Sequence, residues 1–157
     1  MEGIPGNLFA PNASTTRGMI VTILYRLEGA PAVSGDCPFD DVAAGAWYED
    51  AVTWAASNQI VEGYLGKYNP EDAITREQMA AIIYRYAEYK GYDAAGKADL
   101  SKFTDNGEIS TWAEAALAWA NANGLLEGNN SKLMPKANAE RCQVAAILHR
   151  FCENVAK

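Results

Sequence analysis

Three prolines, Pro11, Pro70 and Pro135, are each followed six residues later by an arginine (Arg17, Arg76, Arg141), and each arginine opens the same apolar pattern. Counted from those arginines, offsets +3, +6, +7 and +10 read Ile20, Ile23, Leu24 and Leu27, then Met79, Ile82, Ile83 and Tyr86, then Val144, Ile147, Leu148 and Phe151. This is one helical face written three times. A second arginine recurs nine residues on, as Arg26, Arg85 and Arg150. Upstream, Trp47, Trp54, Ile60, Val61, Glu62 and Gly63 match Trp112, Trp119, Leu125, Leu126, Glu127 and Gly128 at a constant shift of 65. Such repetition points to a modular binding or scaffold protein.

Composition narrows the classes. The chain has 157 residues, 49% hydrophobic and 21% charged, as expected of a globular protein. No apolar run approaches the ~20 residues needed to cross a bilayer, so membrane insertion is not expected, and the N-terminus carries no signal-peptide pattern. A net charge of -7 argues against a phosphate-backbone binder, which needs a basic patch, so nucleic acid is excluded as a partner. Cys142 and Cys152 lie ten apart on one predicted helix, about 15 Å along its axis, too far for a disulfide. Only Cys37 remains as a partner for either, and none of the three has metal-ligand spacing.

Each full copy reads as a short helix, a loop and a longer helix. The short helix runs from about Trp47 to Asn58, with Trp47, Ala51, Val52, Trp54 and Ala55 on one face, and Trp112, Ala116, Leu117, Trp119 and Ala120 repeat it. The chain then turns through residues 62–66 or 127–130, where Gly63 and Gly128 tolerate unusual backbone angles. Thr75 is placed to cap the long helix with Gln78 reaching back, whereas Thr16 has Met19 at that place and Glu140 is a poorer cap.

The string Phe39-Asp40-Asp41-Val42, Trp47-Tyr48, Ala51-Val52, Ile60-Val61-Glu62-Gly63-Tyr64, Tyr68-Asn69-Pro70 and Ile74-Thr75-Arg76-Glu77-Gln78 resembles the S-layer homology motif throughout. Phe103-Thr104-Asp105, Trp112, residues 124–128, Pro135 and Glu140-Arg141 are similar but degenerate, with Asn106 in the place of the valine. Thr15-Thr16-Arg17 belongs to a first copy that lacks its front. Three copies are therefore expected, at residues 1–33 (C-terminal part only), 37–92 and 101–157.

The resemblance implies an all-α fold in which three helix-loop-helix repeats form a pseudo-threefold, three-lobed bundle around the long helices. It also implies a non-catalytic anchor, extracellular at the cell wall or S-layer, whose grooves bind secondary cell-wall polysaccharide, often through a pyruvylated sugar. The residue chemistry fits. Arg17, Arg76 and Arg141 offer forked donors to a carboxylate at a helix start, where a cation is otherwise unfavourable. Trp47 and Trp112 can stack on a sugar ring or belong to the core, while Trp54 and Trp119 read as core. Asp41 and Asp105 can accept sugar hydroxyls, orient an arginine or cap the next helix. Gly63 and Gly128 complete the candidate ligand-binding set, in which no cofactor or metal appears.

Other classes have less support. The one histidine, His149, occupies the position of Tyr25 and Tyr84 and reads as a partly buried aromatic substitute, and no nucleophile, P-loop or HExxH pattern accompanies it. The alternative is a helical protein-interaction scaffold whose grooves hold peptide. The third copy, with Glu140, Asn106 and one extra residue before Trp112, is expected to carry a distorted site. The first long helix, without a short helix of its own copy, is expected to leave a flank bare and to favour self-association.

Overall fold

The computed structural model describes residues 1–156. Its helices are α1 (Arg17–Leu27), α2 (Glu49–Ser57), α3 (Arg76–Lys90), α4 (Glu114–Ala122) and α5 (Arg141–Asn154), with 3-10 turns at Asn106–Glu108 and Thr111–Ala113. All three long helices begin at the repeated arginine. Thr75 caps α3 as expected: its hydroxyl accepts from Gln78 N–H at 3.3 Å and Gln78 returns the bond at 3.0 Å. At α1 the thioether of Met19 accepts from Thr16 N–H at 3.5 Å, so methionine fills the reciprocal role that the sequence left vacant. At α5 Gln143 accepts from Glu140 N–H at 3.1 Å.

The expected all-α, three-lobed bundle is not what forms. Helices hold 41% of the chain and extended bridges 8%, with no sheet among the described residues, so the architecture is mixed and loop-rich. It divides into two compact units, one of Thr15–Ala73 and the other of Met1–Ser14 with Ile74–Lys157. The physical reason lies in the connections, which supply core. Phe39, Tyr68, Leu100, Phe103 and Leu133 all sit in loops and are buried. Isolated bridges tie these loops to the helix starts: Thr16 to Ala73 in the contiguous unit, and Thr75 to Asn138 and Ser14 to Glu140 in the other. Helical periodicity does not register segments of this kind.

Within the contiguous unit α1 packs on α2, and within the other α3 packs on α4, so a long helix takes the short helix of the following copy. Tyr25 meets Trp54 with ring centroids 5.7 Å apart, and Tyr84 meets Trp119 at 5.4 Å, both edge-biased packings of buried indoles. The α1 flank expected to be bare is thereby covered: Val21 is 0% and Thr22 6% exposed. Helix α5 meets α3 through Tyr86 and Phe151, 5.8 Å apart. His149 is not partly buried: its side chain is 71% exposed and lies 3.4 Å from Glu153. All three cysteines are free, and among the described residues no helix is long and apolar enough to cross a membrane.

Candidate functional site

The repeated arginines are organised by the loop that precedes each long helix. In the contiguous unit, Arg17 N–H donates to Asp72 O and Gly18 N–H to Pro70 O, while the Arg17 Nε–H donates to Tyr68 O at 2.9 Å. Tyr68 is held from its other end, because its N–H and that of Asn69 donate to the two oxygens of Asp41 at 2.8 and 2.7 Å. In the second unit Arg76 repeats every bond. Its N–H donates to Ala137 O and its Nε–H to Leu133 O at 2.9 Å, and Leu133 and Met134 N–H donate to Asp105 at 2.9 and 2.7 Å. Arg141 also grips a carbonyl, that of Phe9 at 2.9 Å, and its terminal nitrogen donates to Glu2 O. An acid and an arginine thus clasp one residue from opposite sides.

This arrangement resolves the electrostatic misfit of a cation at a helix start. Each guanidinium reaches back to a loop carbonyl, and Arg17 and Arg141 also lie 4.6 and 4.9 Å over the rings of Tyr68 and Phe9. Burial alone would raise the carboxyls of Asp41 and Asp105, but their backbone N–H donors outweigh it and hold both below the usual carboxylate range. Arg76 is pulled down from its ordinary value by desolvation, against which Asp105 acts.

Gly63 and Gly128 serve close approach. A Cβ on Gly63 would lie 2.2 Å from Phe39 Cε1, and one on Gly128 would lie 2.8 Å from Phe103 Cε1 and 2.7 Å from Lys132 O. Each loop therefore folds over a phenylalanine ring only because the glycine has no side chain. Trp47 and Trp112 stand at the starts of the short-helix segments and remain 58% and 55% exposed, whereas Trp54 and Trp119 are core.

One groove collects candidates. It has a volume of about 350 Å³, lies within the second unit, and is lined by Arg76, Glu127, Gly128, Met134, Gln143 and Arg150 among others. Of the residues singled out in the sequence it brings together Arg76 and Gly128. Asp105 stands behind Arg76 through Leu133, while Arg141 and Trp112 do not line the groove. Arg17, Asp41, Trp47 and Gly63 belong to the contiguous unit. Met134, Gln143 and Arg150 are additions; the recurrence of Arg150 with Arg26 and Arg85 was the one signal that pointed to any of them. Arg150 Nη1 donates to Leu125 O at a long 3.5 Å.

Residues 38–80 match the S-layer homology domain. The chain is 32% identical over 98% of its length to an amylopullulanase of Thermoanaerobacterium thermosulfurigenes, of which it spans 8%. It is 31% identical over 99% of its length to the surface-layer 125 kDa protein of Lysinibacillus sphaericus, of which it spans 13%. It is 26% identical over 98% of its length to a cellulosome-anchoring protein of Acetivibrio thermocellus, of which it spans 35%. Residues 38–80, which hold Asp41, Trp47 and Arg76, are thus an S-layer homology domain, and the relatives match the chain over nearly all of its length.

Proposed function

We propose that this chain is a non-catalytic module that attaches a larger protein to the bacterial cell surface by holding an acidic wall polysaccharide, with a carboxylate such as a pyruvate ketal on Arg76. Surface attachment is supported by the domain family and by relatives named as a surface-layer protein and a cellulosome-anchoring protein. The relatives named as enzymes are far longer, and this chain corresponds to 8% of the amylopullulanase.

The observation that carries the ligand chemistry is the state of Arg76. It is only 7% exposed and lines the groove, yet among the described residues its side chain bonds only through Nε, to Leu133 O. The nearby acid, Asp105, is already engaged by two backbone N–H groups. A buried guanidinium with free terminal N–H groups calls for an anion with paired acceptors, which a carboxylate supplies. Arg17, in the equivalent clasp, and Arg141, which grips the Phe9 carbonyl in the same way, are proposed as further contacts, and the exposed Trp47 and Trp112 as stacking surfaces for sugar rings. Asp41, Asp105, Gly63 and Gly128 then act by shaping the loops.

The test is calorimetric titration with pyruvylated wall fragments. Arg76→Ala is expected to weaken binding by about 1.5–3 kcal/mol, and Arg76→Lys to recover only part, because a point charge lacks the fork. Arg141→Ala, in the degenerate copy, is expected to matter less. Unchanged affinity in both Arg76 variants removes the assignment.

A further inference from the structure

The residue that follows each repeated arginine differs sharply among the copies: Gly18, Glu77 and Cys142. Glu77 is 2% exposed. Its Oε1 accepts from Lys136 Nζ at 2.6 Å and from Ser110 Oγ at 2.8 Å, and its Oε2 accepts from Ser110 N–H at 3.0 Å. Lys136 Nζ also reaches Ser110 Oγ, which closes the network. A buried carboxylate is costly to desolvate, and the contiguous unit forms the same clasp with a glycine at this position, so the fold does not demand it.

The network joins three segments, two of which, α3 and the loop before α5, reach the groove. Glu77 lies in the first turn of α3, beside Arg76. Ser110 precedes the 3-10 turn that holds Trp112. Lys136 lies in the loop whose Leu133 carbonyl grips Arg76 and whose Met134 lines the groove. The same loop already receives the Arg76 and Glu77 main-chain N–H groups at Ala137 O and Pro135 O. Main chain alone fixes the distance of this loop from α3. A side-chain tie at Lys136 also fixes its rotation, and with it the direction in which Leu133 O aims Arg76.

We propose that Glu77, Ser110 and Lys136 form an ionic latch that positions Arg76 for a carboxylate, so that the latch sets the preference of this groove for acidic over neutral glycan. This rests on the carboxylate reading of Arg76, and the test separates the two. The probes are a monosaccharide bearing a pyruvate ketal and its ketal-free counterpart, titrated into the whole chain. Glu77→Gln and Lys136→Ala are expected to lower the ratio of the two affinities about tenfold, within what a charge-assisted contact can contribute, and to leave the ketal-free affinity within about twofold. Lys136 is 54% exposed in its side chain, so its replacement leaves the core alone, and Lys136→Arg is expected to keep the ratio.

If Arg76→Ala loses the ratio while Glu77→Gln and Lys136→Ala keep it, the latch is wrong and the groove stands. If Arg76→Ala itself keeps the ratio, the carboxylate reading falls, and amide exchange at residues 133–137 then judges the latch. Faster exchange there in Lys136→Ala supports it, and unchanged exchange overturns it.

Discussion

At the scale of single residues, the copies differ most where one backbone position meets different neighbours. Thr15 stands where the later copies have Ile74 and Ala139, and all three are 0% exposed. The Thr15 hydroxyl is buried with no hydrogen-bond partner. An unsatisfied buried hydroxyl costs about 1–3 kcal/mol, and valine has nearly the same shape. Thr15→Val is therefore expected to stabilise the protein by about 1 kcal/mol and to raise its melting temperature by about 2–4 °C, read by circular dichroism. A lower melting temperature removes the claim that the hydroxyl is unpaired. Which residues organise the loops was partly legible beforehand. The arginines announced themselves by recurrence, and Gly63 and Gly128 by their place in a turn. The partners of Asp41 and Asp105 did not, because each carboxylate bonds main-chain groups 27 to 29 residues away, and a sequence pattern names side chains, not the N–H groups a loop delivers to them.

At the scale of elements, two long helices accept two short helices by different complementary fillings. Gly18 leaves a space in which a Cβ would meet Tyr48 Cδ1 at 3.2 Å and Pro70 O at 3.1 Å, and Glu71 is the charged neighbour of the Tyr48 hydroxyl. In the other unit Glu77 and Ala113 stand at the places of Gly18 and Tyr48, and Lys136, at the place of Glu71, is the polar partner of Glu77. Size and charge have both been exchanged across the contact. Gly18→Glu alone must displace a buried tyrosine and leaves a carboxylate beside Glu71, so a loss of about 2–4 kcal/mol is expected. The triple replacement Gly18→Glu, Tyr48→Ala, Glu71→Lys copies the other filling and is expected to recover at least half of that loss in denaturant unfolding. Additive damage instead of recovery removes the idea of matched sets. The caps and apolar faces made the helices legible, with starts correct at Arg17, Arg76 and Arg141. Their pairing was not legible, since periodicity marks which face is buried and says nothing of which copy covers it.

At the scale of the whole molecule, the departure from an all-helical bundle follows from how much core the loops hold: Tyr68 and Leu133 are 0% and 1% exposed, and each is the residue clasped by an arginine. The recognition chemistry proposed for these arginines is therefore held by loops and is cationic, while the chain as a whole carries -7. These act over different distances. The proposed attraction of Arg76 for a carboxylate would operate at hydrogen-bond range in a groove, where salt screens little, whereas the net repulsion of an acidic polymer operates over the Debye length, about 10 Å at 0.1 M and about 30 Å at 0.01 M. Added salt should remove the repulsion first. For a long pyruvylated polysaccharide, affinity is expected to rise by about two- to fivefold between about 0.01 and 0.1 M NaCl, and for a single pyruvylated sugar to change by less than about twofold. A basic polyanion binder behaves oppositely and loses affinity steadily as counterions cease to drive it. Titrations of both ligands at several salt concentrations decide the matter. A steep, monotonic loss with the polymer means that binding is carried by a diffuse cationic surface, and the groove around Arg76 is then not where the polysaccharide is held.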